Sequence, residues 1–68
     1  MMKYLVKRGD VYFVIVRHGV AEWSTKSVEA FHTVHFPDAV KLAEKEEASV
    51  IKRFEDGFEK PILNFEHP

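Results

Sequence analysis

Four histidines are the side chains of this sequence best suited to bind a metal ion: His18, His32, His35 and His67. His32 and His35 lie three residues apart in FHTVHF. That spacing brings two imidazoles together on a helix but sends them to opposite faces of a strand. Because FHTVHF alternates in polarity, it predicts a strand. We therefore expect exposed or half-buried histidines along strand edges, and no metal site.

Groups for acid–base or nucleophilic catalysis are scattered along the chain. The serines have no nucleophile-elbow sequence around them, and the glutamates at 44, 46 and 47 are typical of a solvated helix start. No two of the three glycines are near enough to cradle a phosphate. The absence of cysteine excludes a disulfide scaffold, a thiolate metal site and a cysteine nucleophile. We expect a protein that is not an enzyme and that carries no cofactor.

The tripeptide Arg8-Gly9-Asp10 matches an adhesion signal, but it lies between two segments that read as strands. Residues 2–7 (MKYLVK) and 11–18 (VYFVIVRH) are rich in valine, isoleucine and aromatic residues, which favour strands. A two-residue loop of Gly9 and Asp10 fits a type II′ turn, which requires glycine first. The tripeptide is therefore interpreted as the bend of a β-hairpin.

This turn fixes a register and so assigns side chains to the two faces of the hairpin. Arg8 is expected opposite Val11, Val6 opposite Phe13 and Tyr4 opposite Ile15, on an apolar face that should join the core. The other face is mixed and carries Lys3, Leu5, Lys7, Tyr12, Val14 and Val16. A half-exposed hairpin would be more polar there. The cover is expected to be a partner, a second copy, or the middle segment of the chain itself.

Three further segments complete this interpretation. Residues 19–30 read as a loop that extends the hairpin no further than Trp23. Residues 31–36 read as a third strand, which Pro37 and Asp38 interrupt. Residues 60–66 (KPILNFE) read as the last strand, with Pro61 at its start.

Residues 38–56 allow two interpretations. One is a single long helix capped by Asp38, whose buried face would then include two glutamates in its middle. The other ends a short strand near Ala43 and begins a helix around Glu44, with acids in its first turn, Lys52 and Arg53 in its last and Gly57 as its stop. The second is favoured, and both place a helix over about 45–55.

The expected architecture is α+β, with a small antiparallel sheet of three to five strands, starting with a hairpin, and one helix on one face. A chain of 68 residues forms a single domain, 1–68. Such a domain is marginally stable, so association with a partner or a second copy would stabilise it.

Ala39-x-x-Leu42 followed by Glu46-Glu47-Ala48, with Trp23 upstream and a leading hairpin that alternates after tyrosine, resembles small proteins of bacteria and their phages. These phage- and prophage-type proteins are mostly of unknown function, so no catalytic residue is transferred. Leu42 stands where that pattern usually has an aromatic residue, which keeps the single-helix interpretation open. The resemblance implies an α+β fold and a phage or bacterial origin.

The charge pattern indicates which kinds of partner are expected. The net charge of −1 gives no general attraction to nucleic acid, and no segment approaches a membrane span. We expect a cytoplasmic protein-binding module, as a homodimer or with another protein, that uses the mixed hairpin face together with Trp23. The alternative is single-stranded nucleic acid held by Lys3 and Lys7 around Tyr12.

Overall fold

The computed structural model describes residues 2–67. In that range the chain forms one antiparallel sheet of five strands and one α-helix. The elements are β1 (Lys3–Arg8), β2 (Val11–Arg17), β3 (Val20–Ser24), a short 3-10 turn (Ser27–Glu29), α1 (Phe36–Glu46), β4 (Ser49–Arg53) and β5 (Glu59–Asn64). The strands lie in the sheet in the order β3-β2-β1-β4-β5. The α+β fold with a single helix against the sheet is confirmed.

The helix lies earlier in the chain than predicted. Pro37 stands in its first turn, where its missing N–H costs nothing, and Asp38 and Lys45 complement the helix dipole at opposite ends. Glu47 ends the helix in the left-handed conformation (φ 55°) and its N–H bonds to the Ala43 and Glu44 carbonyls. The favoured break near Ala43 is therefore wrong.

The helix that both interpretations placed over about 45–55 is also wrong, because α1 ends at Glu46 and the central part of that segment is a strand. Residues 49–53 form β4, which pairs with β1 over five residue pairs and with β5 on its other side. The β-branched residues Val50 and Ile51 favour this conformation. Likewise, the strand predicted over residues 31–36 is not formed: the segment contributes only an isolated bridge at Thr33 to the sheet, and Phe36 begins α1. Residues 20–24, interpreted as a loop, form the third strand.

Two tight turns connect the first three strands. Gly9 has a positive φ of 59°, as its place in the predicted hairpin turn requires. His18 and Gly19 both have positive φ (50° and 77°), the pattern of a type I′ turn, which allows β3 to follow β2 directly.

The main core lies between α1 and the sheet. Its buried members are Val6, Phe13, Ala39, Ala43, Ala48 and Val50. Ala39 and Ala43 are four residues apart on one helix face, and their small side chains let the helix backbone approach β1 and β4 closely.

The predicted β1–β2 register holds only near the turn. Lys7 pairs with Tyr12 and Arg8 with Val11, and no pairs follow. A bulge in β2 between Phe13 and Ile15 turns the strand away. Thr33 then pairs with Tyr4 through two backbone hydrogen bonds of 2.7 and 3.0 Å, so residues around 31–33 fill the gap between the strands.

Candidate interaction surface

The face of the sheet away from α1 holds most of the residues proposed from sequence as a partner-binding face, and its centre is covered. Leu5 is 1% exposed and Tyr12 8% exposed, and both pack with Ala30 and Ile51 in a second small core. Ala30 directly follows the 3-10 turn. The middle segment of the chain is therefore the cover, as one of the three sequence alternatives anticipated.

The other proposed residues do not join Leu5 and Tyr12 in one exposed surface. Lys3 and Lys7 lie half-buried on the same face, with the Lys7 ammonium 4.9 Å from the centre of the Tyr12 ring. Val14 lies at the bulge, and Val16 is exposed near the end of β2. Trp23 lies on the helix side, edge-to-face with Phe13 at 5.6 Å, and the Arg8 guanidinium stacks on it at 4.3 Å.

A hydrogen bond and an ion pair link the strands on the covered face; we call the three residues that form them, Tyr12, Glu59 and Arg53, the polar bracket. The Tyr12 hydroxyl donates to the Glu59 carboxylate at 2.8 and 2.9 Å, which links β2 to β5 across the two strands between them. Arg53 Nη1 lies 3.6 Å from the same carboxylate. Burial and the bond to Glu59 raise the pKa of Tyr12 above its ordinary value.

Large apolar side chains are exposed mainly at one end of the sheet. Nine large hydrophobic residues are exposed among those described. Eight of them lie at the end opposite the Gly9 turn, which we call the apolar end: Ile15, Val16, Val20, Val28, Val34, Phe36, Phe54 and Phe58. The ninth, Leu63, lies near the other end of β5.

Strand directions explain this placement. β1 and β5 begin at the apolar end and β2 and β4 finish there, so both the β2–β3 turn and the β4–β5 loop project from it. Thr33 is bonded to Tyr4 near the start of β1, which brings Val34 to the same end. Phe36, at the start of α1, also reaches this end because its ring lies 5.3 Å from that of Tyr4.

The β4–β5 loop presents two of the three phenylalanines at the apolar end, Phe54 and Phe58. The Phe54 N–H bonds to the Phe58 carbonyl at 2.9 Å, and Gly57 has a φ of 90° in the turn between them. The two rings lie 5.8 Å apart, and Phe58 is 60% exposed. The sequence pattern does not predict this pair, because Phe54 falls in the segment predicted as a helix. The usable signal was Asp56-Gly57, a turn dipeptide between two aromatic residues.

The opposite end of the sheet is charged. A surface depression there is lined by Arg8, Lys45, Glu46, Glu47, Glu66 and His67, and we call this region the polar end. Arg8 donates to the Glu46 carbonyl, and His67 lies 3.4 Å from Glu47. One end of the sheet therefore exposes apolar side chains and the other end exposes charged ones.

A groove of about 410 Å³, here the side groove, opens on the face away from α1 beside the apolar end. Leu5 and Ala30 line it together with Val28 of the 3-10 turn and Phe54 of the β4–β5 loop, and its charged lining residues are Lys3, Arg53 and Glu55. Such a groove is large enough for one or two side chains of a bound segment.

Neither a metal centre nor a membrane span is found within residues 2–67. No group of three or more histidine, cysteine, aspartate or glutamate side chains in that range is arranged to hold a metal ion. The one α-helix there has 11 residues, and no helix of the described chain is long and apolar enough to cross a membrane.

Comparison with known proteins finds no matching family model, curated protein or solved structure.

Proposed function

We propose that the protein is a small non-catalytic protein-binding module that contacts its partner through the apolar end. The observation that carries this proposal is the gathering of eight of the nine exposed large hydrophobic residues at one end of the sheet. Single exposed apolar residues are common and need no explanation, whereas a concentration of them rimmed by polar groups is typical of a protein interface.

The aromatic pair of the β4–β5 loop provides the anchor for such an interface. Phe54 and Phe58 project from the sheet on a tight loop, so a partner can enclose them without unfolding the core. Aromatic side chains contribute strongly to binding when a partner desolvates them. The anchors proposed from sequence, Tyr12 and Trp23, already have intramolecular packing partners.

Protein is favoured over single-stranded nucleic acid. The sequence alternative required Tyr12 to stack on a base between Lys3 and Lys7. Its ring is buried, the Lys7 ammonium lies over it and its hydroxyl is bonded to Glu59. The site proposed around Tyr12 therefore offers no exposed ring on which a base could stack, and the net charge of −1 gives little general attraction to phosphates. The phage or bacterial origin and the cytoplasmic location stay predictions.

Affinity capture with matched variants tests the proposal. The tagged protein, a Val20→Ser/Phe58→Ser double variant and a Leu63→Ser control are incubated with lysate of the source cells, with and without nuclease. Leu63 is also exposed but lies away from the apolar end. We expect wild type and the control to retain the same partner after nuclease treatment and the double variant to lose it.

Three results would contradict the proposal: equal retention by the double variant, equal loss in the control, or loss of all retained protein after nuclease treatment. Light scattering of the same three proteins tests whether the partner is a second copy of this chain. If the wild type is a homodimer and the double variant is a monomer, the apolar end is a self-association surface.

A further inference from the structure

We draw no further inference here: the strongest candidate, the side groove between the 3-10 turn and the β4–β5 loop, is lined by the carboxylate of Glu55 as well as by Lys3 and Arg53, and nothing in the structure shows what covers it.

Discussion

The Tyr12 hydroxyl offers a sharp test of how the second face of the sheet is held. Tyr12→Phe removes one oxygen and keeps the ring that packs on Leu5 and Ile51. The lost hydroxyl has one proton, which it shares between the two oxygens of Glu59 at O–O distances of 2.8 and 2.9 Å, and it so connects β2 with β5. A change in stability therefore reports the bracket rather than the packing of the ring.

The expected loss of stability depends on which partners the Glu59 carboxylate keeps in the variant. A hydrogen bond to a charged group contributes about 1.5–3 kcal/mol to stability. Arg53 stays 3.6 Å from the Glu59 carboxylate, so the carboxylate keeps a partner in the variant and the lower value applies. We expect Tyr12→Phe to lower the free energy of unfolding by about 1.5 kcal/mol, or roughly 6–12 °C in Tm for a domain of this size.

The pH dependence adds a second, independent observable. The pKa of Tyr12 is raised above its ordinary value of 10.0, first by burial and then by the bond to Glu59. A raised pKa in the folded state means that the stabilisation is complete below the unfolded pKa and is lost as the pH rises through the folded one. The advantage of wild type over Tyr12→Phe should therefore be constant around neutral pH and decline above about pH 10.

Urea denaturation at several pH values, with Tyr4→Phe as control, measures both effects. The Tyr4 ring packs on Phe36, and its hydroxyl forms no hydrogen bond with another residue of the described chain. Tyr4→Phe should therefore change stability by less than about 0.5 kcal/mol. Equal effects of the two substitutions, or a Tyr12→Phe deficit that does not shrink at alkaline pH, would refute the role assigned to the bracket.

Three further predictions, for His18→Asn, Gly19→Ala and Ala43→Leu, concern the β2–β3 turn and the helix contact, and all are measured by urea denaturation. His18→Asn should stabilise the protein by about 0.5 kcal/mol, because asparagine adopts positive φ in a type I′ turn more readily. Gly19→Ala, whose new Cβ would meet no atom within 4 Å, should cost about 1 kcal/mol through backbone strain; a neutral result would contradict the turn assignment. Ala43→Leu should cost about 1–3 kcal/mol by overpacking the fully buried helix contact, while Lys41→Leu on the exposed side stays within about 0.5 kcal/mol.

Local signals were sufficient for part of the fold. The glycine turn at Gly9 and the β-branched residues on both sides of it predicted the first hairpin, and Pro61 marked the region of the last strand. These features depend on conformational preferences of neighbouring residues, which a sequence displays directly.

The boundary between α1 and β4 could not be read in the same way. Glu47 ends the helix in the left-handed conformation, where glycine or asparagine would have been a recognisable signal. Beyond it, Val50, Ile51 and Phe54 have a spacing that fits a helical stripe as well as a strand. Pairing of β4 with β1 and β5 decides between them, and that pairing is a tertiary interaction.

The candidate site was only partly predictable for a related reason. The register near the turn correctly placed Lys7 beside Tyr12, and the mixed polarity of their face correctly indicated a cover. The bulge in β2 and the entry of Thr33 beside Tyr4 depend on contacts between segments far apart in sequence. The packing of Ala30 on Tyr12, which buries its ring, is likewise a contact between distant segments.

The exposure of the large apolar side chains at the apolar end to water is unfavourable in free energy, and the fold itself does not require it. A domain of this size has little stability to spare, yet Phe58 is 60% exposed while small residues such as Ala39 and Ala43 occupy the core. Loops at the polar end show that the same sheet can be closed with charged side chains. Because the exposed aromatic pair adds little to burial within the chain, its contribution is expected in a complex, where the partner supplies the missing surface.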